Sequence, residues 1–98
     1  MSETAQVTVQ DNPGAGRYEA LADGGVVAGF AEYERHDGRI VFTHTEVDEA
    51  YEGHGIGGTL VRAALDDVRT TDLRVVATCP FVKAWIGRHP DYADLTRR

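Results

Sequence analysis

The spacing of apolar residues along this chain changes once, near its middle. Up to Val47 the pattern is that of strands; from Ile56 it is that of a helix. Val7 and Val9 sit in a short alternating segment, and Asn12-Pro13-Gly14-Ala15-Gly16 reads as a loop. Residues 17–22 predict a short strand and Asp23-Gly24-Gly25 a turn. Residues 26–35 carry Val27, Phe30 and Tyr33 in a β-prone run, and His36-Asp37-Gly38-Arg39 makes the next turn. Residues 40–47, I-V-F-T-H-T-E-V, are rich in β-branched side chains. Three strands joined by tight turns imply an antiparallel meander.

In the second half Ile56, Leu60, Val61, Ala64, Leu65 and Val68 recur at helical spacing, while Arg62, Asp66, Asp67 and Arg69 take other faces. Residues 73–78, L-R-V-V-A-T, predict a strand. Pro80 suits the first position of a helix, where its missing N–H costs nothing. Residues 81–88 are then helical, His89-Pro90 stops the helix, and residues 91–95 form a last turn. The predicted order is β-β-β-loop-α-β-α. A strand-helix-strand unit crosses over right-handed and sets its two strands parallel. The expected fold class is α/β (α+β): one domain over residues 1–98, with a twisted mixed sheet that is antiparallel first and parallel at the end.

Composition removes several function classes. No apolar run approaches the ~20 residues that span a membrane, and Met1-Ser2-Glu3-Thr4 has neither the basic nor the apolar region of a signal peptide. The net charge is −6 and Lys83 is the sole lysine, which argues against a nucleic-acid-binding face. The acidic balance suits a soluble cytoplasmic protein, and a cationic acceptor such as an amine. Cys79 is the one cysteine, so neither an internal disulfide nor a cysteine-built zinc site is expected. His36, His44, His54 and His89 show no metal-ligand spacing, and no structural metal is expected.

Where the period changes lies Y-E-G-H-G-I-G-G-T-L, residues 51–60, with Gly53, Gly55, Gly57 and Gly58 directly ahead of the helix. Glycine lets backbone approach a ligand closely. A helix N-terminus offers unpaired N–H groups and the positive end of the macrodipole. Together they bind anions, most often the phosphates of a nucleotide or cofactor. The P-loop pattern fails because no lysine follows the glycines. The dinucleotide fingerprint G-x-G-x-x-G is met literally by Gly53, Gly55 and Gly58, but an antiparallel meander precedes it and no doubly wound sheet has room to form.

The stretch V-D-E-A-Y-E-G-H-G-I-G-G-T-L-V resembles motif A of the GNAT-type N-acetyltransferases, in which a strand end is followed by [RQ]-x-x-G-x-[GA] opening a helix. Val47 matches the strand end, and Glu52, Gly53, His54, Gly55, Ile56 and Gly57 match the loop, with Glu52 standing where the family usually has Arg or Gln. C-P-F-V-K-A-W-I-G-R-H-P-D-Y, residues 79–92, is similar to the signature of a small subfamily of about this length, called YjdJ-like or NATD1-like. The resemblance runs from about Tyr18 to Leu95. It implies that acetyl-coenzyme A is the cofactor, held at its pyrophosphate by loop amides from Glu52 to Thr59. It further implies that the strand around Glu46 and Val47 pairs with the pantetheine arm. Typical members carry two helices between the first two strands. This chain has only short loops there, so the acceptor side is expected to be open.

The resemblance also points to candidate chemistry. Cys79 precedes Pro80 at a helix start, where a thiol is acidified and made more nucleophilic; it is expected either to take part in acyl transfer or to be a small buried packing residue. Glu46 and His44 share a strand face, and either could relieve an amine of its proton, or simply face solvent. His54 and Thr59 are candidate phosphate contacts, Lys83 and Arg88 candidate partners of the 3′-phosphate, and Tyr92 a candidate acid. Trp85 and Phe81 read as packing. The implied function is N-acetylation of an unidentified amine, peptide or protein, by a monomer or weak homodimer. The alternative is a non-catalytic coenzyme A-binding sensor acting through a partner.

Overall fold

The computed structural model describes residues 7–98, so the reading of Met1 to Thr4 lies outside the described residues. Strands β1 (Thr8–Asn12), β2 (Arg17–Leu21), β3 (Val27–His36), β4 (Arg39–Val47) and β5 (Arg74–Ala77) form one sheet in sequential order. The first four are antiparallel, and β5 runs parallel to β4. Helix α1 (Ile56–Arg69) joins β4 to β5, and α2 (Pro80–Arg88) follows β5. The meander therefore has four strands rather than three. The short Val7–Val9 alternation became a full edge strand because β2 supplies a partner register, Thr8↔Leu21 through Asn12↔Arg17. The chain after α2 forms a 3₁₀ segment, Pro90–Arg97, longer than the single turn expected at 91–95.

The helices cover one face of the sheet. Ile56, Leu60, Val61, Ala64, Leu65 and Val68 are all buried, as the helical spacing required. They pack on Tyr18, Ala20, Ala31, Tyr33, Ile40, Phe42 and Val75, joined by Val82, Trp85 and Ile86 of α2. Each large apolar side chain so buried contributes about 1.5–3 kcal/mol. At the far end of α1 the Arg98 guanidinium donates to the carbonyls of Val68 and Arg69 in the last turn and to that of Leu73 just before β5, placing a cation at the helix C-terminus.

One irregularity determines which side chains face which way. Tyr33 pairs with Phe42, but Glu32 pairs with His44, so β4 carries one extra residue, Thr43. Before this bulge, even-numbered Ile40 and Phe42 point into the core. Beyond it, odd-numbered Thr45 and Val47 take the helix side, opposite Ala31 and Gly29, and His44 and Glu46 take the uncovered side. Without the bulge, the latter two would continue the parity of Ile40 and Phe42 into the apolar core.

Gly29 sits where strand and helix come closest. A Cβ there would lie 2.9 Å from the Glu46 carbonyl oxygen and 3.4 Å from Ile56. Because the nearer obstacle is backbone, Gly29→Ala is expected to lower stability by about 1–3 kcal/mol, the range of overpacking; urea denaturation measures it.

Two buried phenols set an alkaline limit. The Tyr18 hydroxyl donates to Asp67 at 2.7 Å and the Tyr33 hydroxyl to Asp11 at 2.5 Å. Burial first, then these carboxylates, pushes Tyr18 far above an ordinary phenol and Tyr33 up to about 12. A pKa raised by folding stabilises the fold below the unfolded value of 10, and the gain is lost as pH climbs towards 12. Thermal midpoints are expected to fall from pH 10 upward, and the fall is expected to be shallower in Tyr33→Phe.

Candidate functional site

The sheet opens at the end of β5. The last β4–β5 partners are Phe42 and Ala77. Immediately beyond, the N–H groups of Thr78 and Cys79 both donate to the Phe42 carbonyl, at 3.1 and 3.0 Å. Two amides on one carbonyl turn the chain out of register, and Pro80 then starts α2. Thr43 to Val47 run on with β3 at one edge and a gap at the other.

After Val47 the chain turns through a short 3₁₀ segment, Glu49–Tyr51, capped by the Asp48 carboxylate, which accepts from the Ala50 N–H at 2.9 Å. Gly53 (φ 85°) and Gly55 (φ 71°) then place the backbone in the left-handed region, which a Cβ disfavours. Gly55 is the N-cap of α1, and no side chain caps that helix. Its first backbone bond, from the Thr59 N–H to the Gly55 carbonyl at 3.1 Å, leaves the amides of Ile56, Gly57 and Gly58 at the open helix end. A groove of about 260 Å³ lies over them, walled by Val47, Tyr51, Gly53, Ile56 and Phe81.

The four glycines divide by role. Gly53 and Gly55 have nothing within 4 Å of a built Cβ, so their side faces open space. Gly57 and Gly58 instead admit α2: a Cβ on Gly57 would sit 2.8 Å from the Phe81 ring, and one on Gly58 would sit 3.6 Å from the Trp85 indole nitrogen. His54 lies between the two left-handed glycines. Thr59 lines a different hollow, of about 420 Å³, with Arg62, Trp85 and His89.

The candidates for chemistry fall on opposite sides of the sheet. Cys79, only 4% exposed, has its sulfur 3.5 Å from the Thr45 hydroxyl on the helix side. Burial pushes the thiol up, but the Thr45 hydroxyl and the amides of Val82 and Phe81 outweigh it, and the net shift is below the ordinary value. His44 and Glu46 pair on the uncovered side, Nε2 to Oε1 at 3.5 Å, both largely exposed. Neither touches Cys79. Thr45, the residue between them, is the one that reaches the thiol, and alternation read without the bulge gave no sign of it.

A second cleft, of about 590 Å³, occupies the uncovered face at the end of β4. Phe30, Glu46, Val47, Asp48, Glu49 and Glu52 contribute to its walls. Val47 and Glu52 line both this cleft and the groove over α1.

Of the other candidates, Tyr92 and Trp85 have structural partners. The Tyr92 hydroxyl donates to Asp66 at 2.7 Å and accepts from Arg62 at 3.3 Å. The carboxylate first, then burial, raises its pKa against the opposing pull of Arg62 and makes it a poorer acid. Trp85 is buried and stacks on His89, ring centroids 3.8 Å apart. Lys83 and Arg88 are exposed on α2. Among the described residues no group of carboxylate, histidine and cysteine side chains has the geometry to hold a metal ion, and no helix is long and apolar enough to cross a membrane.

Comparison with known proteins places this geometry. A family model described as GCN5-related N-acetyl-transferase matches residues 17–95. Protein NATD1 from Bos taurus is 44% identical over 59 residues, covering 59% of this chain and 52% of the relative. The Homo sapiens protein of the same name is 42% identical over the same length, again covering 59% of this chain and 52% of the relative. The match thus spans about half the length of these curated relatives. The solution structure of a GCN5-like protein from Staphylococcus aureus superimposes with a TM-score of 0.67 at 22% identity, covering 96% of this chain and 89% of that one, and shows the same fold.

The lowered thiol pKa can be checked directly, because the chain has one cysteine. Thiolate ultraviolet absorbance against pH is expected to give a midpoint below that of an ordinary free cysteine. Thr45→Val, which removes the hydroxyl partner, is expected to move it upward.

Proposed function

Since the chain belongs to the GCN5-related N-acetyl-transferase family, we propose that it transfers an acetyl group from acetyl-coenzyme A to an amine. The observation that carries this reading is the uncapped N-terminus of α1 beneath a groove that ends at the open edge of β4. The residues fit the cofactor: three amides at the helix end suit a pyrophosphate, and the Gly53 and Gly55 faces are free of obstruction. The unpaired edge at Thr43 to Val47 offers backbone groups to an extended, amide-bearing pantetheine arm.

Bound acetyl-coenzyme A would supply an activated thioester. Within this reading the loop from Glu52 to Gly58 binds and orients it, and Val47 marks where groove and outer cleft meet. An ammonium cannot attack a carbonyl until it loses a proton, and Glu46, held beside His44, is the acceptor for that proton on the outer face. The new C–N bond forms as the C–S bond breaks, and the departing sulfur takes up a proton. Cys79 lies on the helix side of the sheet, as the groove does, and a lowered pKa suits it to protonate the leaving thiolate or to accept the acyl group transiently. The whole reading is of one minimal cytoplasmic domain, a setting in which a lone thiol persists.

A non-catalytic acyl-coenzyme A sensor is the second reading. It is favoured by the tight turn joining β1 to β2, which leaves no helices over the acceptor side, and by Glu52 on the cofactor rim.

Calorimetry with coenzyme A and thiol release in the presence of pooled amines separate the two. Binding with thiol release supports the transferase, binding without it supports the sensor, and absence of binding rejects both. Gly55→Val, which forces a β-branched residue into a left-handed N-cap, is expected to weaken cofactor binding by roughly tenfold or more, since that conformation costs about 1–2 kcal/mol and distorts the amide array. Glu46→Gln is expected to lower kcat by about 10²-fold, the lower range for general-base loss, while leaving cofactor affinity unchanged.

A further inference from the structure

The cleft on the uncovered face has a composition that the cofactor does not use. It is larger than the cofactor groove, about 590 against 260 Å³, and meets it at Val47 and Glu52. Four acidic residues, Glu46, Asp48, Glu49 and Glu52, line it, following the chain from the end of β4 into the loop; the Asp48 carboxylate also caps the Glu49–Tyr51 segment. Its floor includes Phe30, whose ring already attracts a cation: the Arg17 guanidinium lies 4.4 Å from the ring centroid. Arg17 also lines the cleft, but its charge is offset by Glu19, bound at 2.8 Å to its Nε and outside the lining, so acidic residues remain in excess there. Among the described residues that line the cleft there is no other basic side chain.

Glu52 gains a role here. At the position where motif A usually carries Arg or Gln, a carboxylate beside a pyrophosphate is unfavourable. On the wall shared by groove and cleft it instead extends the acidic rim towards the acceptor.

Resting on the transferase reading, we infer that the acceptor is a small, linear amine carrying at least two positive charges. One amine reaches the junction at Val47 and Glu46, and the second charge is held farther along the cleft by Glu49 and Glu52. The reacting ammonium gives one proton to Glu46, its nitrogen bonds the acetyl carbon, and the carbon–sulfur bond breaks as the leaving thiolate takes up the second proton from that nitrogen. The distal ammonium stays protonated throughout and reads only the charge of the cleft. A singly charged amine of the same length lacks that second contact. A neutral acceptor lacks both.

The probes are spermidine, 1,4-diaminobutane and butylamine, each measured twice: by NMR titration of the isotope-labelled protein, which needs no turnover, and by thiol release with acetyl-coenzyme A. Exposed ion pairs contribute a few tenths to one kcal/mol each, so spermidine is expected to bind roughly tenfold tighter than butylamine and to shift the amides of Phe30, Val47 and Glu49. The preference is expected to shrink severalfold between about 0.01 and 0.15 M salt, as the screening length falls from ~30 to ~8 Å. In Glu49→Gln/Glu52→Gln the spermidine-to-butylamine affinity ratio, read by NMR titration without cofactor, is expected to approach one. Both positions lie on the surface loop, and a thermal melt confirms folding.

Equal binding of the three amines, shifts confined to other surfaces, or a ratio unmoved in the double variant overturns the inference. So does turnover restricted to a basic peptide. Charge-selective amine binding without any thiol release keeps the cleft as a polycation site but rejects the transferase reading, and with it the acceptor role. Thiol release with no charge selectivity does the reverse.

Discussion

The carbonyl of Phe42 is the point on which the rest of the site depends. It accepts two amides, from Thr78 and Cys79, and so ends the parallel pairing of β4 and β5 while β4 continues. The Thr78 hydroxyl donates to the same oxygen at 3.2 Å, so three donors from the two residues after β5 converge on one acceptor. Had β5 stayed in register for one more pair, β4 would have had no free edge there. The departure also puts Cys79 at the start of α2 and aims its sulfur across the gap at Thr45. The opening, the thiol and the helix thus share one local cause.

The bulge at Thr43 complements this. It reverses side-chain parity in the segment of β4 that faces the gap, so the same short run serves both faces of the sheet. Thr45 and Val47 belong to the helix side, with the groove and the α1 N-terminus. His44 and Glu46 belong to the other side, with the acidic cleft. A two-layer molecule with helices on one face only can separate an anionic ligand from a cationic one in this way. The helix end carries a positive potential, and the loop carboxylates a negative one.

Much of this was legible in the chain. The period change near residue 48, the amphipathic stripe from Ile56 to Val68 and Pro80 at a helix start each arise from local rules, and each appears in the structure. The family was legible too, because loop glycines and the Cys79-Pro80 stretch keep a fixed spacing. Less legible was β1, whose short alternation gains meaning only from pairing with β2. The roles of the glycines were not separable in the sequence. Gly53 and Gly55 answer to backbone torsion, whereas Gly57 and Gly58 answer to Phe81 and Trp85, more than twenty residues away.

By itself the sequence determined most of the elements, their order and the glycine loop ahead of α1, because these follow from side-chain period and glycine torsion. Tertiary structure alone decided which residues meet. It put Thr45 rather than Glu46 against Cys79, turned His44 and Glu46 to the uncovered face, and made Glu52 a wall common to two clefts. The physical reason is that strand parity and edge pairing are settled between strands. A one-residue bulge against β3 and a shared carbonyl beside β5 leave no local trace in the chain that carries them.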